Sequence, residues 1–156
     1  RAALPAFETG AIQVLWQCGK SYEQELAQFK ESLPANVKVF PFIQRIDLAY
    51  ALSTVIISRA GALSVSELAL VAKPTILVPS PNVAEDHQTK NARALVDRAA
   101  AVLVTDAQAS EKLVATALDL LTDVAQQQEL SAALKSFALP NATKAIVEVC
   151  LNSAKL

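Results

Sequence analysis

The sequence predicts an α/β fold, a three-layer α/β/α arrangement in which a parallel sheet is covered by helices on both faces. Short apolar runs at residues 12–17, 37–42, 54–57, 75–79 and 101–104 have the length and composition of buried strands. The stretches between them read as helices, and that alternation implies right-handed crossovers between parallel neighbours. Composition agrees, because 53% of the 156 residues are hydrophobic but only 5% aromatic. Alanine, leucine and valine supply the surplus, as suits helices packed closely on a sheet.

Taken in order, residues 1–8 read as the tail of a helix, and the strand at 12–17 ends at Cys18-Gly19-Lys20. Ser21 is placed to cap a helix running to about Ser32, with Glu23 and Glu25 in its first turns. Pro34 to Asn36 form a turn before the second strand, and residues 47–52 a short helix before the third. After Thr54-Val55-Ile56-Ile57 the chain turns at Gly61, where a missing Cβ permits a positive φ or the close approach of a ligand. The helix that follows carries Leu63, Leu68, Leu70 and Val71 and stops at Lys73-Pro74, since the residue before proline avoids the helical region. Beyond the fourth strand, Pro79 to Asn82 form a rigid loop, and Asp86 is placed as the N-cap of a helix through Ala92. Helices at 106–121, 124–137 and 142–151 complete a single compact domain spanning residues 1–156.

Charge removes several functions. Lys plus Arg number 14 and Asp plus Glu 15, for a net charge of −1 and a pI near 5.8. A nucleic-acid binder normally carries a basic stripe, so no nucleic-acid partner is expected. No run approaches the roughly 18 to 20 apolar residues that span a bilayer. The first residues lack the charged-then-apolar pattern of a signal peptide, so a cytoplasmic location is expected. Cys18 and Cys150 form no metal or redox motif, and both are expected as buried, reduced thiols.

The stretch from Ser58 to Glu67 is the centre of the functional reading. A helix starting at Gly61 points its first unpaired N–H groups beyond the strand end, which makes an anion site. Ser64 offers a hydroxyl there, and Glu67, three residues on, shares its helical face. That carboxylate could hold a vicinal diol, as acidic residues hold ribose in dinucleotide folds. Ser-x-x-Glu is equally the signature of a capping box, and spacing leaves both readings open.

The run SRAGALSVSELALVAKPTILVP, followed by AEDHQTKNA, resembles the donor-binding half of the MurG-type glycosyltransferases. The two motifs stand at the family's mutual spacing, and the resemblance extends in outline from about Trp16 to the last helix. Those enzymes transfer N-acetylglucosamine from UDP-N-acetylglucosamine to a lipid-linked muramyl-pentapeptide, completing lipid II for peptidoglycan. The resemblance implies a Rossmann-like domain, the C-terminal half of a GT-B glycosyltransferase lacking its first strand and glycine-rich loop. The acceptor half would then be absent from this chain. It further implies an inverting displacement with no cofactor and no metal.

Site residues follow from the same resemblance. Ile43 would grip uracil through its backbone, between apolar walls from Phe42 and Ile46, although both side chains could simply belong to the core. Gly61, Ala62, Leu63 and Ser64 would hold the diphosphate and Glu67 the ribose. Arg59 would support that loop, neutralise phosphate or form a structural salt bridge. His87 and Gln88 fall where the family contacts the sugar hydroxyls, and an amide suits that task because it both donates and accepts. His87, the single histidine, could instead be structural or do acid–base work. Asn91 is expected to pack or cap nearby without a ligand role. The general base and the lipid-binding surface would belong to the absent half, so membrane contact is expected only through the full-length protein, peripheral on the inner face of the plasma membrane.

Two further functions fit the same residues. A stand-alone donor domain could be a non-catalytic subunit that pairs with a separate membrane-anchored acceptor subunit. A sugar-nucleotide 2-epimerase of this architecture is disfavoured, because it needs an acid–base set from both halves and this chain has one histidine.

Overall fold

A computed structural model describes residues 12–28 and 30–154. They fall into two compact units, the first ending at Ser53 and the second beginning at Thr54. The helical tail expected at residues 1–8 lies outside the described residues.

In the first unit β1 (Val14–Gln17) pairs in parallel with β2 (Val37–Phe40), in register from Val14 opposite Val37 to Gln17 opposite Phe40. Pro41 follows β2 and has no N–H to continue the ladder, so the strand stops two residues short of the expected run. The helix expected from Ser21 to Ser32 is broken. A 3-10 turn at Lys20–Tyr22 leads into α1 (Glu23–Ala27), and a second 3-10 turn follows at Lys30–Ser32. Ser21 does not cap it, since it lies inside the first turn, closed by the Tyr22 N–H donating to the Gly19 carbonyl at 3.2 Å. Leu26 is the residue α1 buries, too small an apolar face to extend the helix by packing. The unit ends in α2 (Ile46–Leu52), where Arg45 pairs with Asp47 at 2.7 Å and holds that carboxyl below its ordinary range.

In the second unit β3 (Ile56–Ser58), β4 (Thr75–Leu77) and β5 (Val102–Leu103) form a parallel sheet in that order. The parallel α/β class therefore holds, with the hydrogen-bonded ladder divided between the units as two strands and three. β4 is central and all three of its residues are buried, which is why Ile76 and Leu77 follow one another without alternation. Thr75 is buried beside them at no polar cost, because its hydroxyl donates to the Lys73 carbonyl at 2.9 Å.

Helices α3 (Ala62–Val71) and α4 (His87–Val96) supply the crossovers within this sheet. After β5 come α5 (Asp106–Thr122), α6 (Val124–Lys135) and α7 (Ala142–Ser153). The core gathers Ile76, Val78 and Val104 from the sheet side with Leu120 and Leu130 from α5 and α6. The Asp123 side chain caps α6 by accepting from the Gln126 N–H at 2.9 Å. α7 has no buried residue, and Cys150 on it is exposed, contrary to expectation. Cys18 is half-buried, its thiol directed to the Gly19 carbonyl at 3.3 Å. No helix among the described residues is long and apolar enough to cross a membrane.

Two stability measurements test this account. Ile76→Ala empties a fully buried position and should cost about 2–5 kcal/mol in urea unfolding. Ile146→Ala, on a side chain 63% exposed, should change stability by less than about 0.5 kcal/mol. Equal losses at the two positions would mean that α7 is packed. Ala72, at the C-cap of α3, holds a left-handed φ of 52° that alanine adopts at a cost. Ala72→Gly should raise stability by about 0.5–1 kcal/mol in the same assay, and a loss would show that this strain is not present in solution.

Candidate functional site

In a parallel sheet with helical crossovers, the strand-to-helix turns collect at the carboxyl edge, where ligands of this architecture bind. Three such turns lie side by side in the second unit. The first runs from Ser58 through Arg59, Ala60 and Gly61 into α3, the second from Leu77 to α4, and the third from β5 to Asp106 at the start of α5.

Gly61 is the N-cap of α3, and its φ of −66° is extended rather than positive. Conformational freedom is therefore not what the turn requires of it. A Cβ there would meet the Ser64 hydroxyl oxygen at 3.6 Å, an ordinary contact, so the fold itself would accept a side chain at this position. As a glycine, Gly61 has no side chain to cap this end. The Val65 N–H is the first to find an intrahelical acceptor, the Gly61 carbonyl at 2.9 Å, which leaves the amides of Ala62, Leu63 and Ser64 directed outward. The capping-box reading of Ser64 and Glu67 fails on this geometry, because Ser64 is the third residue inside the helix and not its cap. Leu63 is 82% exposed at the mouth.

The loops around that mouth are fastened by side chains. The Arg59 guanidinium donates through one nitrogen, Nη1, to the carbonyls of Val78 at 3.2 Å and Pro79 at 3.4 Å, and to the Asp106 carboxylate at 2.5 Å. Of the roles open to it, Arg59 thus fills loop support and the salt bridge. Asn91 Nδ2 donates to the buried Ala60 carbonyl at 3.0 Å, which fixes α4 against the β3–α3 turn. Gln88 Oε1 accepts from the Ser80 N–H at 2.9 Å and so orders the loop after β4. The other end of that amide makes no hydrogen bond among the described residues.

His87 is exposed at the first position of α4, four residues before Asn91 on the same face. Its Nδ1 lies 2.8 Å from the Ala84 carbonyl, an acceptor, so Nδ1 carries the hydrogen. In the neutral ring Nε2 is then left as an acceptor suited to a hydroxyl. Among the described residues His87 has no carboxylate partner, which leaves acid–base work without its second member. Asp86 occupies the N-cap position, but its carboxylate accepts from the Thr89 hydroxyl at 2.6 Å and not from the backbone. Both Glu85 and Asp86 have left-handed backbones, with φ of 55° and 51°.

The first unit presents the other group of candidates. Phe42 is 62% exposed and Ile46 37%, so neither is a core side chain. The Ile43 N–H donates to Gln17 Oε1 at 2.8 Å. The donor half of the expected uracil grip is therefore already paired within the chain, and a base edge would use the carbonyl or displace Gln17.

Sequence reasoning missed Gln17, Asp106 and the partner of Asn91, which packs nearby as expected. Their partners are 26, 47 and 31 residues away, beyond any local pattern.

Comparison with known proteins extends this picture. The family described as "Glycosyltransferase family 28 C-terminal domain" matches residues 2–146. A UDP-N-acetylglucosamine–N-acetylmuramyl-(pentapeptide) pyrophosphoryl-undecaprenol N-acetylglucosamine transferase of Flavobacterium psychrophilum is 50% identical over 137 residues, 88% of this chain and 37% of that protein. The transferase of the same name from Cytophaga hutchinsonii is 51% identical over 144 residues, 92% of this chain and 38% of its own length. The chain thus spans well under half the length of the curated relatives it matches. In structure it is similar to Acinetobacter baumannii MurG, with a TM-score of 0.75 at 30% identity over 96% of this chain and 44% of that one. The parallel strands with flanking helices and the matched span agree, and the chain belongs to the glycosyltransferase family 28 C-terminal domain family.

Proposed function

We propose that this chain is the donor-binding half of an inverting hexosyltransferase that moves N-acetylglucosamine from UDP-N-acetylglucosamine to an undecaprenyl-diphosphate-linked muramyl-pentapeptide in peptidoglycan synthesis. The observation that carries the reading is the open amino end of α3, set between fastened loops at the carboxyl edge of a parallel sheet. The names of the half-identical relatives supply the substrates.

In this reading the diphosphate sits on the amides of Ala62, Leu63 and Ser64. As the sugar–oxygen bond breaks, negative charge grows on the departing UDP, and aligned amides at a helix start meet it without having to reorganise. Glu67, one turn further along α3, accepts from the ribose hydroxyls. Ile43 with Phe42 and Ile46 takes the uracil. His87 Nε2 and the Gln88 amide serve the sugar hydroxyls. The general base and the lipid acceptor belong to the remainder of a longer protein, working at the inner face of the plasma membrane and contributing there to cell shape and division.

Isothermal titration of the chain with UDP and UDP-N-acetylglucosamine tests the donor site. Glu67→Ala should weaken both ligands about tenfold to a hundredfold, the worth of a charge-assisted hydrogen bond. A folded wild type that binds neither ligand would refute the reading. His87→Ala should weaken UDP-N-acetylglucosamine by about tenfold and leave UDP unchanged, while His87→Gln keeps most of the affinity. A loss shared equally by UDP would move His87 from the sugar to the diphosphate.

A further inference from the structure

We propose that Asp106 is a positioning residue for the diphosphate site, acting through Arg59; the inference rests on the reading of that edge as a donor site. A single nitrogen of Arg59 serves three loops at once. It belongs to the β3–α3 turn, donates to the Val78 and Pro79 carbonyls after β4, and meets Asp106 on the first residue of α5. No other side chain among the described residues joins all three turns. The two charged side chains are 54% and 39% exposed, so they stand at the rim of the edge and not in the core.

Asp106 is suited to the task twice over. A carboxylate on the first residue of a 17-residue helix is favoured by the helix dipole, which fixes its own position. It also cancels the charge of Arg59 locally, which turns the guanidinium from a free cation into a clamp. The alternative is that Arg59 is a direct counter-charge for phosphate and Asp106 its competitor. The two roles predict opposite signs. A clamp that loses Asp106 loosens the turn carrying Ala60 to Ser64, and diphosphate affinity falls. A counter-charge that loses its competitor gains positive potential, and diphosphate affinity rises.

The test compares wild type, Asp106→Ala and Asp106→Asn, each titrated with UDP and with uridine, which lacks phosphate. Asp106→Ala should lower UDP affinity about tenfold and leave uridine within about twofold, with Asn restoring most of the loss because it keeps an acceptor for Arg59. Amide hydrogen exchange without ligand should quicken about tenfold at Val65, Val78 and Ser80, whose N–H groups are bonded to Gly61, Ser58 and Gln88, in the alanine variant, and stay unchanged at Leu134 in the core. Higher UDP affinity in the alanine variant, equal losses for UDP and uridine, or unchanged exchange at Val65 and Val78 would each overturn the proposal. If wild type binds no UDP, the donor-site reading fails by itself, while the exchange comparison still decides whether Asp106 holds the turn.

Discussion

Parallel strands cannot be closed by a hairpin, and that constraint organises the second unit. Each strand from β3 to β5 must be reached by a crossover, so every strand-to-helix turn emerges at the same edge. The turns carrying Arg59, Val78 and Asp106 are far apart in sequence and neighbours in space for this reason alone. β4, buried along its whole length, anchors the arrangement. Its burial against Leu120 and Leu130 holds the sheet in register while the edge loops stay polar.

That edge combines fastened loops with an unfastened helix end. Asn91, Gln88 and Arg59 each satisfy a backbone group in a turn that no regular ladder reaches, at 3.0, 2.9 and 3.2 Å. The amides that open α3 receive no cap from their N-cap residue, a glycine. A helix end commonly attracts a cap, because orphan donors away from water are costly. In the proposed reading, leaving this one uncapped while its surroundings are tied would give an anion a prepared seat, and rigidity around the seat would lower the entropy lost when a ligand arrives.

Much of the fold was legible because its signals are local. The β-branched run ending in Ser58, the apolar run ending in Leu77, and Pro74 between them mark strand, helix and strand within a few residues of their observed limits. Signals failed where tertiary context decides. Ser21 has the chemistry of a cap, yet the Gly19 backbone, with its positive φ, tightens the chain into a 3-10 turn there. Ser64 and Glu67 match a capping box in spacing, yet the helix starts two residues before Ser64. Cys150 was expected inside, but α7 offers it no core. In the candidate site, chain-local pattern supplied the helix mouth and the loop after β4. The Arg59–Asp106 and Gln17–Ile43 pairs depend on separations that only the folded sheet closes.

The charge arrangement at the edge bears on how a diphosphate would be held. Arg59 is the cation nearest the start of α3 in sequence, and its charge is balanced by Asp106. Glu67 adds a carboxylate one turn inside the helix. Side chains at this edge thus bring little net positive charge toward an anion, and the partial charges of oriented amides must do most of the stabilising. Amide dipoles differ from a lysine or arginine in being short-ranged and fixed in direction. They favour charge that develops at one place, such as the oxygen leaving the sugar, over charge spread across a mobile ligand. A site of this kind depends on position more than on charge, and for that reason the residues that hold its loops matter as much as those that would touch the ligand.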